Sequence, residues 1–141
     1  MDVSVNYLAV LLAALSTMAV GSVWYSPAGF YKQWAKLAKV KENKNITGKQ
    51  MAVMYGSVLI ASTIMAYVLA HVAFLSNQYF QNAFWQDAVT TAFWLWLGFV
   101  ATRFYVHDTF ENRAGKLTVL NSGYELATLL VMGLIIGFMG Y

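Results

Sequence analysis

Residues 117–141 read LTVLNSGYELATLLVMGLIIGFMGY, an apolar run broken by one carboxylate, Glu125, and a few polar residues just before it. About 20 predominantly apolar residues cross a bilayer as a helix, so this stretch is long enough to span one. A charged side chain at the bilayer centre costs about 2.5–3.5 kcal/mol on insertion scales. An acid in such a helix therefore belongs to the inside of a bundle, and the rest of the chain must supply that bundle.

It does. The sequence is 60% hydrophobic and 11% charged, against about 45–50% and 25% in soluble domains. The apolar residues gather into runs that predict helices over 5–25, 49–75, 83–105 and 117–140 in a single domain, 1–141. The expected fold is an all-α membrane protein, a bundle of four transmembrane helices. A cleaved signal peptide would start with basic residues; this chain starts MDVSVN. Cysteine is absent, which excludes disulfides, thiol nucleophiles and Cys-ligated metals.

Charge predicts the orientation. Lys32, Lys36, Lys39, Lys41, Lys44 and Lys49 lie between the first two runs, and Arg103, Arg113 and Lys116 at or between the last two. Basic loops stay cytoplasmic, so both termini are expected outside, with Asp2 and Asp87. A dual-topology protein would need a weaker bias.

The first helix carries Ala9, Ala13, Thr17 and Gly21 at four-residue spacing. Such small-residue ridges let helices approach closely in lipid. WYSPAGFYKQWAKLAKVK comes next, over 24–41. Ser26 can cap and Pro27 suits a first turn, predicting a short helix over 27–40. Phe30, Trp34 and Leu37 share one face, with Lys32, Lys36 and Lys39 opposite. That is an amphipathic helix lying in the membrane surface, its lysines towards anionic headgroups. Thr47 and Gln50 fit a capping box before the second helix. Asn45-Ile46-Thr47 matches a glycosylation acceptor, which on the cytoplasmic side carries no meaning. In the third helix Asp87, Thr91, Trp94, Gly98 and Thr102 share a face expected to look into the bundle, and Arg103 snorkels.

Glu125 stands nine residues beyond Lys116, about 14 Å along a helix, and so near the midplane. Thr118, Asn121, Ser122 and Thr128 fall within about 60° of it and make one polar stripe. Gly133 and Gly137 come after them in GxxxG spacing. No basic residue is level with Glu125. It is therefore either neutral and hydrogen-bonded, or charged beside water or a ligand. The structural reading is a protonated acid tying two helices together through Asn121, Ser122 or a tyrosine. The functional one is a proton or solute site, since intramembrane acids mark such paths. His107, Asp108 and Glu111 could form a weak metal site but read better as a solvated loop. No catalytic triad, phosphate loop or paired carboxylate points to an enzyme. No cofactor or nucleic-acid partner is expected, and Phe84, Trp85, Phe93, Trp94 and Trp96 read as packing and belt residues.

VNYLAVLLAAL, WYSPAGFYKQW, FWLWLGFVAT and LNSGYELATLLVMGLIIG together resemble the bacterial membrane family called domain of unknown function 1761. The most specific pieces are Trp24-Tyr25-Ser26-Pro27, Leu97-Gly98-Phe99 and Asn121-Ser122-Gly123-Tyr124. The resemblance covers nearly the whole chain and implies four helices in a bacterial inner membrane. In the family pattern His can replace Glu125, which implies that a protonatable group matters there. No activity comes with it. From the residues, the leading expectation is an oligomeric transport or channel-like protein. Its proton or solute site is Glu125, lined by Asn121, Ser122, Tyr124 and Thr128. The ridges of Ala13, Thr17 and Gly21, of Gly98, and of Gly133 and Gly137 would pack helices or protomers. The rival is a non-catalytic subunit or scaffold that holds anionic lipid through Lys32, Trp34, Lys36 and Lys39.

Overall fold

A computed structural model describes residues 3–40 and 46–141. Asp2, Lys41, Lys44 and Asn45, which bear on the orientation and the acceptor motif, lie outside the described residues. Long helices form where the apolar runs are. They are α1 (Tyr7–Trp24), α3 (Gly48–Phe80), a span from Phe84 to Phe110, and α6 (Gly115–Met139). Each is long and apolar enough to cross a bilayer, and the chain is a multi-pass, all-helical membrane protein. The third span is three pieces: α4 (Phe84–Leu95), a π-helical segment (Trp96–Ala101) and α5 (Thr102–Phe110). A short α2 (Tyr31–Leu37) comes after α1.

Local chemistry fixes the ends. The Asn6 side chain accepts from Ala9 N and caps α1. Thr47 and Gln50 form a capping box at α3. Between α1 and α2, Ser26 accepts through Oγ from Gly29 N at 3.0 Å, but as a turn rather than a helix start. The helix expected from 27 therefore begins at Tyr31. A Cβ on Gly29 would stand 2.5 Å from the Trp24 carbonyl oxygen, so this turn requires glycine. Lys39 takes a left-handed φ of 52° and ends α2, with Val40 N donating back to Ala35 O.

α1 packs on α3 and α6, and α4 packs on the same two, giving a four-helix ring. Its core is Val10, Ala13, Ala14, Ala66, Leu69, Ala70, Ala92, Leu129, Met132 and Ile136. Alanine dominates because backbones in lipid associate through close packing. A Cβ on Gly137 would run into Trp85 Cα, and one on Gly133 would meet Ala88 O at 3.0 Å. Ala13 and Thr17 are buried in the same way, and Gly21 lies against Tyr124. The ridges of α1 and α6 are thus filled by the chain's own helices.

Two expectations fail in the third span. A Cβ on Gly98 would meet nothing within 4 Å, and Trp94 and Thr102 are exposed. Asp87, Ala88, Thr91 and Ala92 are the buried residues, so the inward face is centred one residue further round than the face predicted. The π segment then adds a residue to a turn and rotates the residues beyond it.

The ring is closed at the Asp87 end and open at the α2 end. α3 is 33 residues, about 50 Å. From Gly48 to Val58 every residue is exposed, and a Cβ on Gly56 would meet nothing. The α2 end of α3 therefore stands apart from its neighbours.

Candidate functional site

Glu125 shares a helical face with Leu129, Met132 and Ile136, which fill the core one, two and three turns on. It is the polar continuation of the core stripe towards α2. Central along α6, it is nonetheless only one turn from the end of α1. Asn6 Nδ2 donates to Met139 O at 3.3 Å and Gly21 lies against the Tyr124 hydroxyl, so these helices run antiparallel with Glu125 level with the last turn of α1. Thr17 Oγ1 donates to Ser62 Oγ at 3.2 Å, which puts the exposed residues near Val58 of α3 at that same level. Glu125 is half-buried because α3 has turned away there.

Its neighbours on α6 divide into three groups. Ser122 and Thr128, one turn to either side, are buried, and neither hydroxyl makes a well-formed hydrogen bond among the described residues, although the Tyr124 phenol lies near that of Thr128. A buried polar group without a partner costs about 1–3 kcal/mol, and here two flank one acid. Tyr124 turns towards α1, its ring 5.1 Å from that of Tyr25 and 6.2 Å from that of Trp24. Thr118 leaves the stripe and donates to Asp108 Oδ2 at 2.7 Å.

Across from this face stands the π segment. Trp96 donates through Nε1 to the Ser122 carbonyl at 2.8 Å, tying its first residue to α6 one turn from Glu125. π turns frequently mark functional sites. Nothing in the apolar run WLWLGF signalled one.

α2 lies across the near end of α6. Trp34 packs edge-on against Tyr25 at 5.1 Å, linking α2 through Tyr25 and Tyr124 to the acid. Burial pushes the Tyr25 phenol up to about 12, with Tyr124 and Glu125 close enough to add to the shift. On one side of α2 a vestibule of about 800 Å³ is lined by Trp34, Lys39, Glu111, Asn112, Arg113 and Asn121, among others. Its wall ends at Asn121, one helical turn short of Glu125.

Two further polar clusters were only partly visible in the sequence. At the far end the Asp87 carboxylate, 2% exposed, accepts from Asn77 at 2.7 Å and Asn82 at 2.9 Å. Tyr141 donates to Asn77 at 3.2 Å. This clamps the α3–α4 turn to the C-terminal residue. At the α2 end, His107, Asp108 and Glu111 belong to the end of α5, not to a solvated loop. Glu111 pairs with Arg113 at 2.6 Å, and Arg103 contacts His107 at 3.1 Å. Asp108 is spent on Thr118 and Arg113. No group of three metal-ligating side chains occurs among the described residues. The ion pairs there all belong to Arg113, so Glu125 has no cationic partner among them.

Residues 8–137 match the family described as "Protein of unknown function (DUF1761)". The chain belongs to that family. The match takes in the π segment, α2 and nearly all of the four spans, and it includes Glu125 and its neighbours on α6. No curated protein and no solved structure matches the chain.

Proposed function

We propose that the protein is a transport or channel-like membrane protein whose proton or solute site is Glu125. The observation that carries this is the pair of buried hydroxyls, Ser122 and Thr128, which make no well-formed hydrogen bond among the described residues and flank an acid that has no ion pair among them. Unmet hydrogen-bonding capacity around a protonatable group suits a passing proton, water or small polar solute. A structural tie would instead leave all three satisfied. The vestibule ending at Asn121 supports access from the α2 end.

That end we take as cytoplasmic, with both termini outside, because Lys32, Lys36, Lys39, Lys49, Arg103, Arg113 and Lys116 all lie towards it. α2 then lies in the inner surface of a bacterial cytoplasmic membrane, with Lys32, Lys36 and Lys39 exposed. Four helices enclose little space, so the working form is a homo-oligomer. Its contacts use faces other than the Ala13–Gly21 and Gly133–Gly137 ridges, which the chain itself fills.

The test is proton or solute release from proteoliposomes across a pH gradient, native protein against Glu125→Gln. The native protein should conduct in a pH-dependent way and the variant should fall to the lipid background. Identical rates for the two would sink the proposal.

A further inference from the structure

α2 divides the near end of α6 into two sides. The vestibule on one side is lined by polar and apolar groups in about equal measure. On the other, between α2 and the first two turns of α6, runs a groove of about 730 Å³ whose walls are mostly apolar. Phe30 and Leu37 from α2, Val119 and Leu120 from α6, and the ring of Trp24 form its length. Gly123 brings the groove floor close to Trp24: a Cβ there would come within 3.5 Å of the indole. Lys36, Lys116 and Gln33 are the polar side chains of its lining apart from the Trp24 indole, and no carboxylate joins them among the described residues.

The chemistry of this lining is that of an amphiphile with an anionic head. Lysine stems can lie along an apolar wall while their ammonium groups stay at its wet edge. Two such groups, from different helices, line one groove with no acid among the described residues of that lining. Phosphate groups are held by such point charges. Beyond them the groove is mostly rings and aliphatic side chains, which suit an acyl chain, with the buried indole N–H of Trp24 and the Gln33 amide as its uncharged polar groups.

We infer that this groove is a binding site for one anionic phospholipid of the adjacent leaflet, its phosphate between Lys36 and Lys116 and an acyl chain along Phe30, Val119 and Leu120. The lipid fills the space under α2 and so sets how α2 rests on α6, beside the path to Glu125. The site stands on the groove alone and does not depend on what Glu125 does.

Native mass spectrometry of the detergent-purified protein tests it. The titrants are phosphatidylglycerol, phosphatidylcholine with the same chains, and inorganic phosphate as competitor. One phosphatidylglycerol should be retained in preference to phosphatidylcholine and should resist phosphate. Each lysine near a membrane surface contributes roughly a factor of five, so Lys36→Ala with Lys116→Ala should weaken retention about thirty-fold. Val119→Trp, which fills the groove at an exposed position, should lower it with the lysines intact. Lys49→Ala, outside the groove, should leave it unchanged. Equal retention of the two lipids, an equal loss in Lys49→Ala, retention untouched by Val119→Trp, or displacement by phosphate would each overturn the assignment.

Discussion

At the scale of single residues, the site is a small set of groups whose polar needs the chain does not meet. Among the described residues Glu125 has no ion pair, Ser122 and Thr128 make no well-formed hydrogen bond, and Thr118 and Asp108 have already satisfied each other. What remains for Glu125 is the edge of the vestibule and the two phenols beside it. Tyr25 gives this a measurable consequence. Its folded value is about 12 against the ordinary 10.0. An acid held protonated by the fold contributes fully below its unfolded value and loses that contribution as pH rises towards the folded one. Stability should therefore fall between pH 10 and 12, and Tyr25→Phe should flatten that part of the profile. Thermal unfolding of both proteins in detergent from pH 8 upwards reads the difference directly. That Glu125 faces the bundle was legible from its spacing to Asn121, Ser122 and Thr128. That Thr118 would defect to Asp108 was not, because the pairing spans two helices and depends on how α5 meets α6.

At the scale of elements, glycines separate contact from open surface. Gly137→Ala would drive a methyl group into the backbone of Trp85. Overpacking of this kind costs about 1–3 kcal/mol. Gly98→Ala meets nothing and should stay within about 0.5 kcal/mol of the parent, as surface changes do. Unfolding in mixed micelles should order the two variants in that way; equal effects would mean that α4 and α6 do not pack as described. The GxxxG spacing on α6 gave the first result from sequence. The same kind of reading failed for Gly98, because a helical wheel assumes an unbroken 3.6-residue period and the π segment starts two residues earlier. Helix starts were legible where a side chain caps, as at Thr47. They were misplaced where a cap serves a turn instead, as at Ser26.

At the scale of the whole molecule, the alanine core at the Asp87 end and the separated half of α3 at the other end divide the work. One half of the bundle is closed; the other leaves Glu125 half-buried near α2, with a half-polar vestibule on one side and an apolar, lysine-edged groove on the other. Hydropathy displayed the four spans plainly. It could not display this asymmetry, since exposed and packed apolar residues look alike in a chain whose solvent is lipid. On the function proposed above, the groups around Glu125 are wet and reached from the basic end. The chain has no cysteine, so Ser122→Cys and Thr128→Cys each offer one reporter in an otherwise unreactive protein. The decisive measurement is their labelling by a membrane-impermeant thiol reagent, applied to each face of oriented proteoliposomes. Reaction is expected at Ser122→Cys from the α2 face, slower at the deeper Thr128→Cys, with protection from the opposite face. Two thiols inert from both faces would mean that the stripe is dry, and that Glu125 is a tie between helices rather than a site.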